Sequence, residues 1–371
     1  MVASESVPTS RQTPAHSTPS HVRIGPISAL PSILVELGVP PQPVFEKAGV
    51  ELRTFGNPDT RIAFESLGRL LVESVAASGR EDVALLTGAR FALEDLGALG
   101  HLMRHSATVA DALQALLLHL NLFDRGAVPL LLELEPANVL LGYSVHCHGV
   151  PGVAHVYDGA VAISFRLLSE LCGPQWRPSR VQFSHQQPRD AGPYRQLFGT
   201  PVEFNADVSG IAFASSWLRQ PIAGASPERR KVVAANLQQC WNKGDLNFTD
   251  QVRAALPQLI LSGSASAGAV ADLYGIHERT LRKRLGASKE PFRHLIGQAR
   301  FELAQQLLEN THLPMAQLAL ALHYATPAVF SRAFRAWSNM SPTDWRARSQ
   351  LSAQSGGMPA PTGHQALSNQ K

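Results

Sequence analysis

The sequence predicts an α+β fold in two parts: a mixed α/β domain, then an all-α module made of two helix-turn-helix units. Three observations predict it. Strand-like and helical patterns alternate irregularly between residues 128 and 214. Every periodic stretch beyond residue 245 has a helical repeat. Charge divides unevenly: Leu256–Arg348 holds 11 Lys+Arg against 6 Asp+Glu, which leaves 22 against 23 for the rest of the 371 residues, although the whole chain carries only +4. An asymmetry of this kind is expected when one module meets a polyanion.

Apolar residues at 44% and charged residues at 17% allow a sizeable core and exclude bulk disorder. The length suggests more than one domain. The three cysteines, Cys147, Cys172 and Cys240, are too few and too scattered for a disulfide framework or a zinc spacing. No apolar run reaches the ~18 residues of a membrane helix, and the first residues lack the apolar core of a secretory signal. A cytoplasmic protein with no membrane partner is the expectation.

The elements follow in order. Residues 1–22 and 349–371 are rich in Ser, Thr, Pro and Gly and are expected to be disordered tails. Residues 23–222 form the first domain. Phe64–Ala77 has apolar positions at helical spacing. Thr108 is placed to cap the next helix, with Asp111 three residues on as an Asp variant of the capping box. Val128–Leu134 and Val139–Cys147 read as strands split by the turn Glu135-Pro136-Ala137-Asn138. A helix near Tyr157–Cys172, a strand at Ser179–His185, a short helix at Tyr194–Phe198, and strands at Val202–Asn205 and Ile211–Ala214 complete the domain. This order implies a mixed sheet with helices on a face. The polar stretch 223–244 reads as a linker, and 245–348 as the helical module.

In that module Val270–Tyr274, a turn at Gly275 and Glu278–Leu285 make one helix-turn-helix candidate. A long helix runs from Pro291 to about Glu309, with apolar Phe292, Leu295, Ile296, Ala299, Leu303 and Leu307 in phase. Met315–Leu322, a turn at His323–Ala325 and Pro327–Trp337 make the second. Thr326 is placed as its N-cap with Pro327 at the first helical position, and Ser341-Pro342 opens a last short helix in the same way.

The stretch GIHERTLRKRLG, Gly275–Gly286, carries the chemistry. On a helix, Leu281 and Leu285 share one face, while Arg279, Arg282 and Lys283 share another. One face packs and the other presents donors. Arg reaches guanine O6 and N7 in the major groove, and Lys or Arg neutralises phosphates. For a lone cationic helix a solvated face is an equal reading; the second unit shifts the balance. There Phe330, Phe334 and Trp337 are expected to pack inward, with Ser331, Arg332 and Arg335 outward. A rod of ~19 residues between the two spans ~28 Å, near the ~34 Å between successive major grooves on one face of DNA.

Residues 263–348 resemble the DNA-binding domain of AraC/XylS-type bacterial transcription regulators. VADLYGIHERTLRKRL, FRHLIGQARFELAQQLL, MAQLALALHYATPAVFSRAFRAW and MSPTDWR carry the likeness. It implies contacts to double-stranded promoter DNA from Arg279, Arg282, Lys283, Ser331, Arg332 and Arg335. His323-Tyr324 stands where the family usually has Gly-Phe, Asn339 where Gly is frequent, and Pro327-Ala328 where polar residues are common. LEDLGALGHLMRHSATVADALQALLLHL and VQFSHQQPRDAGPYRQLFGTPVEFNADVSGIAFASSWL are similar to the effector-binding domain of the ornithine-utilisation-regulator-like branch. That likeness implies a small-molecule effector, an activator working with RNA polymerase, and compatibility with a homodimer. It assigns no effector-binding residue.

Other constellations point elsewhere. His146-Cys147-His148 with His155 suggests metal, but in a strand the two histidines point one way and Cys147 the other, and a third ligand is wanting. His155 and Asp158 suggest an acid–base pair without a nucleophile at any motif spacing. The expectation is no metal, no cofactor and no catalytic residue, with a metal-dependent or acid–base enzyme domain fused to a DNA-binding tail as the alternative.

Overall fold

The computed structural model describes residues 20–120, 124–134, 137–145, 147, 149–242, 248–286 and 291–355. It opens with a small helical layer. β1 (His21–Arg23) pairs antiparallel with β2 (Arg61–Ala63) around α1 (Leu30–Glu36) and α2 (Pro41–Ala48). α3 (Phe64–Ser78), α4 (Val83–Ala89), α5 (Ala98–Arg104) and α6 (Val109–His119) follow. The Thr108 hydroxyl accepts from the Asp111 backbone N–H and the Asp111 carboxylate accepts from that of Thr108, closing the expected box.

A mixed sheet comes next: β3 (Ala127–Leu134), β4 (Asn138–Val145), α7 (Val153–Cys172), β5 (Arg180–Gln182), α8 (Gly192–Phe198), β6 (Val202–Glu203) and β7 (Ser209–Ala214). The strands lie in the order β3-β4-β7-β5-β6, antiparallel except for the parallel pair β5–β6. This is the predicted α+β architecture. The strand expected over Ser179–His185 is three residues long, because only Arg180–Gln182 pairs with β7, and of these only Val181 and Gln182 also pair with β6. Gly126 leads into β3; a Cβ there would stand 2.0 Å from the Phe64 ring, so no larger residue fits without moving α3.

Residue alternation gives the sheet two buried faces. Leu131, Val139, Leu141, Ile211 and Phe213 face α6 and α7. Val128, Leu130, Leu132, Leu140, Val208 and Ala212 face the helical module and share one continuous core with it. The two parts of the chain are therefore docked, not strung apart. Nor is the connection a bare polar linker: within 223–244, α9 (Pro227–Asn242) is helical, and Val233, Ala234 and Leu237 lay one stripe against the first domain. The disordered tails expected at 1–22 and 349–371 are overturned where the structure describes them: His21 and Val22 pair in β1, and residues 349–355 continue the last helix, because each extends an element already held by its partners. Residues 1–19 and 356–371 and the Cys240 side chain lie outside the described residues.

The module comprises α10 (Phe248–Leu261), α11 (Ala267–Leu273), α12 (Glu278–Gly286), α13 (Phe292–Asn310), α14 (Met315–Ala321), α15 (Pro327–Ser338) and α16 (Pro342–Ser355). The Thr326 hydroxyl accepts from the Val329 N–H at 3.2 Å, and Pro327 stands at the first helical position as predicted. His323 has φ +55° and Asn339 φ +57°. Both occupy left-handed backbone where the resembling family favours glycine; Asn tolerates it better than His.

Candidate nucleic-acid interface and effector cavity

On α12, Leu281 and Leu285 are buried, while Arg279, Arg282, Lys283 and Arg284 are exposed. The four cations differ in their engagements. Arg284 lies over the Phe248 ring at 5.0 Å, a cation–π contact that ties it to α10. Arg282 pairs with Glu278 one turn back, on the exposed face. Among the described residues neither Arg279 nor Lys283 is paired with an acidic side chain.

On α15, Phe330 and Phe334 are buried, with Arg332 and Arg335 exposed and Ser331 half-buried between the two faces. Trp337 departs from expectation, being 41% exposed. It lies on the surface of α13, its ring stacked on Phe301 at 5.9 Å and tilted over His294 at 5.5 Å. Gly297 makes room for it, since a Cβ there would come within 2.8 Å of the indole. Trp337 thus bridges α15 to the rod without entering the core. The rod itself, α13, is 19 residues long, or ~28 Å at 1.5 Å per residue. Leu295, Ala299, Leu303 and Leu307 are buried along it, while Phe292 and Ile296 are half-buried.

The first domain holds a cavity of about 110 Å³ between α3, α4, α6, α7 and the β3–β4 hairpin. Its wall is mainly aliphatic, with Leu67, Leu71, Leu116, Leu120 and Leu167 among the lining. The polar exceptions are Arg23, Thr87, Asp124, Tyr143, His155 and Ser164. Asp124 is buried; its carboxylate accepts from the Gly126 N–H at 2.8 Å and from the Tyr143 hydroxyl. Burial pushes its pKa up to about 6, although those hydrogen bonds pull the other way. Sequence reasoning did not find this site, because its residues come from separate elements with no local motif.

The cavity and the helical module meet opposite faces of the same two strands. Pro129, Leu141 and Tyr143 line the cavity, while Leu130, Leu132 and Leu140 pack on the module. Helix α6 makes a second link: Leu116 and Leu120 line the cavity, and Gln114 Nε2 donates to Ser264 Oγ at 3.3 Å.

The His155–Asp158 pair belongs to a larger polar knot. His185 Nε2 lies 3.0 Å from Asp158 Oδ1, and His155 Nδ1 lies 3.5 Å from Oδ2. Burial pulls the His185 imidazole down, but the hydrogen bond and charge of Asp158 outweigh it and hold its pKa above the usual histidine value. The knot ties α7 to the loop after β5. His146 and His148 lie outside the described residues; among the described residues no group of three His, Cys, Asp or Glu side chains is placed to hold a metal. Cys147 and Cys172 are free thiols. No described helix is long and apolar enough to cross a membrane.

Paired helix-turn-helix units on a rod, docked to a sheet domain with an internal cavity, define a DNA-binding regulator with a sensor domain. Comparison with known proteins agrees. Residues 38–222 match the arabinose-binding domain of AraC transcription regulators, N-terminal, and residues 270–348 match a helix-turn-helix domain. The HTH-type transcriptional regulator VirS of Mycobacterium tuberculosis is 27% identical over 85% of this chain and 93% of its own length. The ornithine utilization regulator of Pseudomonas aeruginosa is 27% identical over 90% of this chain and 98% of its own. The crystal structure of the transcriptional regulator CdpR from Pseudomonas aeruginosa aligns over 86% of this chain and 96% of its own, at 21% identity and a TM-score of 0.44. The chain belongs to the AraC family of DNA-binding transcription regulators, with an ornithine-regulator-like N-terminal effector-binding domain. These matches are to regulators, not to enzymes.

Proposed function

We propose that α12 and α15 enter successive major grooves of one promoter, with Arg279, Arg282 and Lys283 on the first and Ser331, Arg332 and Arg335 on the second. The observation that carries this reading is the exposure of Arg279, Arg282, Lys283, Arg332 and Arg335 on two helices joined by a 19-residue rod. Arg282 must leave Glu278 to reach a base. An exposed i,i+4 pair contributes only ~0.2–0.5 kcal/mol, less than the ~1–3 kcal/mol of a bidentate base contact, so the exchange favours DNA. Ser331 is half-buried, and in this reading its hydroxyl contacts phosphate.

The cavity is the effector site in this proposal. A ligand that fits one arrangement of β3, β4 and α6 better than another biases the position of the module packed on their far side. The domain divisions in this reading are 23–222 for sensing, 223–244 for connection and 245–348 for DNA binding, with His21 and Val22 in β1 and residues 349–355 continuing α16. The protein acts in the cytoplasm as an activator that meets RNA polymerase at the promoter, and its first domain is the surface for any homodimer. Ala160 lines the cavity on α7, so Ala160→Phe fills it from a rigid helix. Operator binding by this variant is expected to persist while its response to cell metabolites is lost. Full metabolite response in Ala160→Phe, measured by DNA-binding titration, would place the effector elsewhere.

A further inference from the structure

The wall of the cavity contains a carboxylate without a counter-ion. Among the described residues, no cationic side chain pairs with Asp124; its partners are backbone N–H groups and the Tyr143 hydroxyl. A charge so buried is costly unless something compensates it. Three of the other polar groups of the wall are already committed. Arg23 donates from Nε to Asp59 at 2.9 Å, pairs through Nη2 with the same carboxylate at 2.8 Å, and donates from Nη1 to the Asp95 carbonyl. The Thr87 hydroxyl donates to the Val83 carbonyl at 2.8 Å, and the Ser164 hydroxyl to that of Ala160 at 2.8 Å. His155 is the exception: its Nδ1 lies 3.5 Å from Asp158 Oδ2 and, among the described residues, makes no hydrogen bond. The site therefore offers acceptors at Asp124 and at the Tyr143 oxygen, set in an aliphatic wall, and few donors to spare.

We propose that the cavity takes an organic cation, a protonated primary amine on a short apolar body, with the ammonium seated on the Asp124 carboxylate and the Tyr143 oxygen. This rests on the reading of the cavity as the effector site. The ammonium supplies three donors where the wall supplies acceptors, and a charge-assisted bond of this kind is about twice as strong as a neutral one. A carboxylate ligand of the same shape meets like charge at Asp124 and finds the guanidinium of Arg23 occupied. An alcohol fits the wall but leaves the buried charge uncompensated.

Titration calorimetry on the full chain at pH 7.5 with hexylamine, 1-hexanol and hexanoate tests the proposal. Hexylamine is expected to bind about tenfold or more tightly than hexanol, a difference of about 1.4 kcal/mol, with hexanoate weakest. Asp124→Asn keeps the shape and is expected to erase the preference for the amine while hexanol binding stays. Hexanol or hexanoate matching hexylamine, no binding of hexylamine, or an amine preference that survives in Asp124→Asn each overturns the proposal. Ala160→Phe separates the two levels. If it blocks whichever probe binds, the cavity is the site even where the amine preference fails. Binding undiminished in Ala160→Phe overturns the cavity reading and the amine assignment together.

Discussion

Asp124 makes the sharpest claim at the scale of single residues. Its folded pKa of about 6 lies above the ordinary carboxyl value of 3.8. Over that interval the folded chain holds a proton that the unfolded chain has released, so stability falls as pH rises from 3.8 to about 6. The titratable groups beside it, Tyr143 and Cys147, are both pushed upward by burial and stay neutral throughout. Above pH 6 the ionised Asp124 costs on the order of 3 kcal/mol. Asp124→Asn removes that charge, so at pH 7.5 its Tm is expected to exceed that of the wild type, the gap closing by pH 4. An equal or lower Tm at pH 7.5 would mean that the carboxylate is compensated in solution. Such a residue was not legible in the sequence. Its burial depends on β1 and β4, which meet it at Val22 and Tyr143, and no local pattern in the sequence announces either contact. His155 and Asp158 were legible as a pair because they lie one helical turn apart; His185 was not, at 27 residues' distance.

At the scale of elements, legibility follows locality. The α6 cap, the α15 cap and both helix-turn-helix units were readable because each is fixed by residues within one or two turns. β1, β2, β5 and β6 are two or three residues long and exist only through partners distant in sequence, so the pattern for them was weak or too long. Trp337 misled because helical phase alone places it with Phe330 and Phe334; the crowding over Gly297 decides that it stays on the surface of α13. The docking of α10, α13 and α14 on the sheet was hidden for a related reason: Val128, Leu130 and Leu132 read as an ordinary apolar strand, and a strand does not name what covers it. The reading role of α12 is tested by Arg282→Ala. The variant is expected to lose ~1–3 kcal/mol at the operator and to relax preference at one base position. An equal loss on operator and random DNA, measured by competition binding, would make Arg282 a phosphate contact instead.

At the scale of the whole molecule, the sheet stands between the cavity and the helical module. Two strands present alternate residues to each, and interiors packed this closely transmit displacement rather than absorb it. In the proposed reading one chain carries both helices that enter DNA, so it engages two turns without a second copy. Hydroxyl-radical footprinting of the full chain on its operator, beside the Arg332→Ala/Arg335→Ala double variant, tests this most directly. Two protected patches about 10 base pairs apart are expected for the wild type, with one of them lost in the double variant. Protection confined to one turn, unchanged in the double variant, would contradict it.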